Sequence, residues 1–253
     1  MRLIILDPNL EHTHGHHALY DRALAGEAVR RGVDVSVIGN LRYGPDQIGD
    51  APVYPLLETT SYGNFSDDPN FGRMDNVRIG NRVVFDELQD LPRDFFHPDD
   101  VVLVHTVSHI NIKGIVEWIS TFPASTSPTF CICLMLPSGI EIVAGDKYRV
   151  VDLALASSYR EAFKASKKIE DLFFMATGHQ HAREFSALAG FDIPSHPLMT
   201  AFDEEPLSSD VMSERVLLFA GDAKINKGLG LLPEIVRQVC PARQSRGGLG
   251  QGA

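Results

Sequence analysis

The stretch "RLIILDPNLEHTHGHHALYDRALAGEAVRRGVDVSVIGN", residues 2–40, decides the fold. Its first part, "RLIILD" (2–7), is a continuous apolar run ending in a carboxylate. Runs of that kind suit a strand buried on both faces of a parallel sheet. After a polar loop, Ala18, Leu19, Leu24, Ala25, Ala28 and Val29 recur at helical spacing as far as Arg30 and Arg31, and Gly32 supplies the stop. "VDVSVI" (33–38) then reads as a second strand. Strand, crossover helix and strand make a βαβ unit, and the crossover is long enough for parallel pairing.

The same alternation continues along the chain. Residues 40–80 are polar and turn-rich and read as a long surface excursion, with a short strand at "PVYPLL" (52–57). A helix is expected around 80–91, a strand at 100–107, a helix at 111–120 and a strand at 128–136. A helix at 148–166, a strand at 171–177, a helix at 179–190 and a short strand near 196–200 follow. The expected fold class is therefore α/β, a Rossmann-like, doubly wound and mostly parallel sheet. Residues 1–200 form its domain. The acidic segment 201–213 reads as a linker, and 214–240 ("RVLLFAG" and "GLLPEIVRQV") as the first strand–helix unit of a second domain. Residues 241–253 have no apolar period and read as a disordered tail. One strand and one helix bury too little surface to be a domain, so the chain is expected to be truncated or to have lost its reading frame near residue 240.

Composition narrows the classes of function. The chain has 253 residues, 44% of them hydrophobic and 22% charged, as in ordinary globular proteins. Its formal net charge of −10 argues against an electrostatic grip on nucleic acid or anionic lipid. No transmembrane segment is expected, and the opening apolar run is too short for a signal-peptide core. Cys131 and Cys133 alternate along an apolar strand and Cys240 stands alone, which is no disulfide framework. Reduced thiols in a cytoplasmic protein are expected.

Two loops carry the candidate chemistry. "HTHGHH" (12–17) places His12, His14, His16 and His17 after the first strand, where open α/β sheets bind ligands. Gly15 allows close backbone approach to a ligand, and His16 and His17 open the helix. His12 reads as a solvated loop residue. "LVHTVSH" (103–109) brings His105, Thr106 and His109 to the end of another buried strand. His105 within the apolar run has a plain alternative as a core histidine, so His109 is the preferred functional residue of the two. "GHQH" (178–181), with Gly178 and His179, begins a further helix and reads equally as a polar helix start.

A third loop, "GDAKINKG" (221–228), lies between a strand and a helix. Gly221, Lys224, Lys227 and the helix N-terminus suit a diphosphate, although the spacing matches neither a Walker loop nor a dinucleotide fingerprint. A surface turn with two solvated lysines is the alternative. "VLLFAGDAKINKGLGLLPEIV" resembles the opening of the C-terminal domain of GT-B-type nucleotide-sugar glycosyltransferases. In that family a basic residue and a lysine of this loop hold the donor diphosphate. Lys227 matches the family lysine, and Lys224 stands where relatives carry arginine, without its bidentate fork. The family's E-x7-E segment is absent.

The resemblance implies transfer of a sugar from a nucleotide-diphosphate donor to an acceptor hydroxyl. It implies a retaining reaction with no metal or further cofactor, and the loops at 13–17 and 105–109 placed on the acceptor side. The catalytic candidates are His109, His105 and His16. The expected partners are a nucleotide sugar and an acceptor, and the sequence is silent on oligomeric state. Two other readings stand beside this one. The first is a non-catalytic binding module or inactive fragment. The second is a zinc metallohydrolase, because "HTHGHH" resembles the His-x-His-x-Asp-His signature of metallo-β-lactamase-like enzymes. Against that, His16 occupies the aspartate position, and the motif follows the very first strand.

Overall fold

A computed structural model describes residues 1–63, 65, 72–144 and 147–196. The chain divides into Met1–Ala201 and Phe202–Ala253, and every described residue belongs to the first part. The linker, second strand–helix unit and tail expected beyond residue 200 lie outside the described residues, as does the reading-frame question.

The described part is an α/β fold around one eight-stranded sheet. Strand β1 (Arg2–Leu6) leads through helix α1 (His16–Arg30) to β2 (Asp34–Asn40). Then come the short β3 (Gln47–Ile48), β4 (Ala51–Leu57), helix α2 (Arg73–Gln89), β5 (Val101–Val107), helix α3 (Ile112–Ile119) and β6 (Thr129–Leu134). A hairpin of β7 (Ile140–Ala144) and β8 (Lys147–Val150) precedes helix α4 (Leu153–Ser166), β9 (Leu172–Thr177), helix α5 (Gly178–Ala189) and β10 (Ser195–His196). The sheet order is β10-β9-β6-β5-β1-β2-β4-β3, with every neighbouring pair parallel except β3 and β4. The mostly parallel Rossmann-like sheet is thus present.

The order has a direct consequence. From β1 the chain first builds outward through β2 and β4, then returns to β5 on the other side of β1 and builds the opposite way. Right-handed crossovers in opposite directions put helices on opposite faces. Alternate residues of β1 feed two cores accordingly. Ile5 packs with Ala18, Ala25 and Ala28 of α1, whereas Ile4 and Leu6 join the core beneath α2 to α5. The larger core centres on edge-to-face contacts of Trp118 with Phe96, Phe122 and Phe130, geometry that aromatic quadrupoles favour.

Three details depart from the sequence reading. Residues 40–80 are not only a surface excursion, because β4 is a full sheet strand paired with β2 and α2 begins at Arg73, seven residues before the expected start. Pro52 and Pro55 weaken the strand signal there. Pro55 is tolerated because β3 covers only Ala51 and Pro52, so the rest of β4 runs along the sheet edge, while Pro52 stands near the start of the strand. The hairpin β7–β8 was not anticipated, and it takes residues 148–150 from the expected helix. Its strands are tied by the Arg149–Glu141 ion pair.

Helices α2 and α3 approach so closely that Gly114 has no room for a side chain. A Cβ there would lie 2.1 Å from the carbonyl oxygen of Asn81, while Asn81 Oδ1 already accepts the Gly114 N–H at 3.0 Å. Gly114→Ala should therefore cost about 1–3 kcal/mol by forcing the helices apart. Gly26, exposed inside α1 with nothing within 4 Å of its Cβ position, should instead gain roughly 0.5–1 kcal/mol on substitution by alanine. Urea unfolding of the two variants measures both, and equal effects would contradict this packing.

Candidate functional site

The reversal of strand order falls between β1 and β5, and open α/β sheets bind ligands outside the carboxyl ends of the strands at such a point. Four charged or titratable side chains meet there. Asp7 follows β1 directly, His105 lies near the end of β5, and His17 and Asp21 sit one turn apart on α1. Asp7 and Asp21 are fully buried, His105 is 1% exposed and His17 is 9% exposed.

The bonds among them form one chain. His17 Nδ1 lies 2.8 Å from Asp7 Oδ2. The carboxylate only accepts, so Nδ1 is the donor, and Nε2 has no hydrogen-bond partner. His105 Nε2 lies 2.7 Å from Asp21 Oδ1 and 3.2 Å from Asp7 Oδ2. Its Nδ1 lies 2.9 Å from Thr106 Oγ1, which itself donates to Met135 Sδ at 3.2 Å. The single threonine proton is thereby used, so His105 Nδ1 is a donor as well. An imidazole donating from both nitrogens is an imidazolium.

Electrostatics agree with that geometry. Burial opposes a charge on His105, but the carboxylates of Asp7 and Asp21 outweigh it and push the imidazole up to about 10. Burial opposes the charge on Asp7 too, yet His105 and His17 hold its carboxyl well below the usual carboxylate range. Asp21 goes the other way, raised to about 6 because burial and the Asp7 charge together exceed the pull of His105.

The backbone bends to make this arrangement. The β5–β6 register shifts between Val104 and Val107, and Thr106 between them has a φ of 58°. A β-branched residue in the left-handed region is strained, by about 1–3 kcal/mol. The bulge re-aims the strand end, and the Thr106 hydroxyl bonded to His105 and Met135 holds it there.

A second, uncharged network frames the site. Asn9 Nδ2 donates to Ser61 Oγ at 3.0 Å, and Asn111 Nδ2 donates to the same oxygen at 2.9 Å. Ser61 N–H donates back to Asn9 Oδ1, and Ser108 Oγ donates to the Ser61 carbonyl. Asp7 Oδ1 accepts the Asn9 N–H at 2.9 Å. The loop after β4 is thus fastened between the loops after β1 and β5. It carries Tyr62, 52% exposed, to the edge of the His17 ring at 6.2 Å between centroids. The polar atoms His17 Nε2, Tyr20 Oη and Asp21 Oδ2 are buried without a hydrogen-bond partner. Buried polar groups of that kind carry a cost unless something satisfies them.

The sequence candidates separate clearly. His17, His105 and Thr106 come together. His12 and His14 are exposed and stack on one another at 5.4 Å, and His16 is exposed with its ring 4.2 Å from that of His17. Gly15 has a φ of 91° at the start of α1, a conformation that favours glycine. His109, preferred above His105 in the sequence reading, is not in the hydrogen-bonded cluster. Its backbone carbonyl binds Asn81 and Ser158, and burial together with the nearby Arg73 lowers its imidazole. His179 is bonded to Ser195 beside β10, at the far edge of the sheet. Gly221, Lys224 and Lys227 lie outside the described residues.

Sequence reasoning missed both carboxylates. The available signals were a charged residue closing an apolar strand, Asp7, and a charged residue on the buried face of a helix, Asp21. A groove of about 680 Å³ lined by Lys113, Phe122, Lys164 and Lys168 lies elsewhere, where the chain enters β6 and β9. No helix among the described residues is long and apolar enough to cross a membrane. No family model matches the chain, and no curated protein matches it.

The cluster makes stability depend on pH. His105 is raised above its ordinary 6.5, so its contribution is complete below that pH and is lost as the pH rises through about 10. Asp7 contributes above pH 3.8 and loses its contribution as the pH falls below that value. Asp21 has the opposite sign, favouring the fold below 3.8 and ceasing to do so as the pH climbs through about 6. The melting temperature should fall by several degrees between pH 7 and pH 10. Nitrogen-15 spectra of the chelator-treated chain at pH 8 should show one histidine protonated at both ring nitrogens. A neutral His105 at pH 8 would remove the imidazolium from this account.

Proposed function

We propose that the described domain is the acceptor side of a GT-B-type glycosyltransferase, a cytoplasmic enzyme that passes a sugar from a nucleotide-diphosphate donor to an acceptor hydroxyl. The observation that carries this reading is the composition of the β1–β5 reversal point. A dinucleotide-binding sheet presents a glycine-rich turn and a bare helix N-terminus to a pyrophosphate there. In this chain the first loop has Gly15 alone, and the carboxylates of Asp7 and Asp21 lie beside the start of α1. The cluster offers no lysine or arginine among the described residues, so its polar atoms suit a neutral, hydroxyl-rich ligand better than an anion. His17 Nε2 offers an acceptor, and Tyr62 offers a ring and a phenol beside it.

The diphosphate belongs on the other loop, "GDAKINKG", whose Lys224 and Lys227 would offset the charge that develops as the bond from anomeric carbon to diphosphate oxygen breaks. The acceptor oxygen forms the new bond to that carbon and gives its proton to the departing diphosphate oxygen. His17, fixed by Asp7, is the residue of this cluster nearest to solvent and the best placed to orient the hydroxyl. This replaces His109 and His16 as the leading residues on the acceptor side.

The full chain should release nucleoside diphosphate from a nucleotide sugar when an acceptor saccharide is supplied, measured over a panel of donors and acceptors. Lys227→Ala should weaken donor binding at least about tenfold. His17→Ala should slow transfer while leaving donor affinity intact. Saccharide binding without transfer would favour the binding-module reading. Donor affinity indifferent to Lys227→Ala, with no saccharide bound, would end the proposal.

A further inference from the structure

The buried charges at the strand reversal do not balance among themselves. Asp7 and Asp21 are both fully buried, and their only ion pairs among the described residues are with His17 and His105. Neither carboxylate is paired with a lysine or arginine there, although buried carboxylates usually require such a partner or a metal. Asp21 Oδ2 is also buried without a hydrogen bond.

From this geometry we infer a divalent transition-metal site, of the zinc type, held by Asp7 Oδ2, His17 Nδ1 and His105 Nε2. These three atoms come from β1's end, α1 and β5, and all lie within 4.8 Å of one another. The two pairs that involve Asp7 are 2.8 and 3.2 Å apart. Ligands on a tetrahedron with 2.0–2.1 Å bonds are about 3.3 Å apart, so the metal requires an outward shift of a few tenths of an ångström. Two imidazoles and a carboxylate form a set that zinc and its neighbours accept and that magnesium or calcium does not prefer.

Several surrounding features fit a metal rather than only a hydrogen bond. Asp21 Oδ1, 2.7 Å from His105 Nε2, lies beside one of the ligands and outside the set of three, so the fourth position of a tetrahedral ion is left to water or a bound ligand. His105 Nδ1 is held by Thr106 and Asp7 Oδ1 by the Asn9 N–H, the outer bonds that orient metal ligands. The strained Thr106 backbone is then the means of aiming His105 at the ion. Entry is from the side of His17, the most exposed of the ligands. The exposed His12 and His14, the most obvious metal-like pair in the sequence, are not part of the set.

The test uses the full chain without a purification tag, stripped with a chelator and titrated with Zn²⁺, and separately with Co²⁺ as a spectroscopic probe. One equivalent of Zn²⁺ per chain should bind and raise the melting temperature, and Co²⁺ should give the intense visible bands of a four-coordinate site. Mg²⁺ at the same concentration should do neither. His17→Ala, at the edge of the cluster and the variant best suited to fold, should weaken Zn²⁺ binding at least about tenfold. A variant with both His12→Ala and His14→Ala should bind as the parent does. Failure of the parent chain to bind one equivalent would overturn the site. So would binding that survives His17→Ala and disappears with the His12 and His14 substitutions, which would assign the metal to the surface loop.

Discussion

Three separate elements are joined at one imidazole. His105, from β5, lies between a carboxylate that ends β1 and another on α1, and every part of the site takes its position from that contact. The two strands are neighbours in the sheet, but neighbouring strands alone do not fix how a helix sits over their ends. The ion cluster does so. Breaking one partner of a buried ion group typically costs about 3–5 kcal/mol because the remaining charge stays buried. Such a cluster is therefore better understood as a constraint on arrangement than as a source of net stability.

The strain at Thr106 belongs to the same constraint. A regular β5 would continue its pairing with β6 through residues 105 and 106, whereas the observed strand slips there and takes a left-handed turn. The compensation is local, since the threonine hydroxyl is hydrogen-bonded to His105 Nδ1 and donates to Met135 Sδ. Strain of this kind survives only where the surroundings over-determine it. Around it the Asn9, Ser61, Ser108 and Asn111 network ties three loops together, so the rim of the site is fastened by side chains as well as by backbone.

The glycosyl-transfer proposal and the metal proposal use different features. The first draws on the loop at 221–228 and on the polar, anion-averse character of the strand reversal. The second draws only on donor atoms and their spacing at the base of the same place. His17 links them, since Nδ1 faces the cluster and Nε2 remains for a ligand. A metal at Nδ1 would move the ring proton to Nε2, so His17 would then meet the acceptor hydroxyl as a hydrogen-bond donor.

The sequence by itself determined the order of elements through most of the described chain. Apolar runs such as "RLIILD" and "VVLVHTV" and helical spacing such as that of α1 are local signals, and the shortness of the runs favours strands buried on both faces. It also pointed to the ends of the first strand and of the strand at 100–107, where the buried cluster of Asp7, His17, Asp21 and His105 lies. It placed a short strand at 52–57, within β4, but did not show that this strand pairs with β2 in the main sheet, and it did not reveal the β7–β8 hairpin, whose exposed, mixed residues have no sharp period. It set His12 apart as a solvated loop residue but did not separate His17 from His14 and His16, and it preferred His109 to His105. Those choices belong to the tertiary structure, because an imidazole's role depends on which carboxylates lie within about 3 Å. Asp7, Asp21 and His105 are brought within that distance by the strand order and the bulge at Thr106, neither of which has a local signature in the chain.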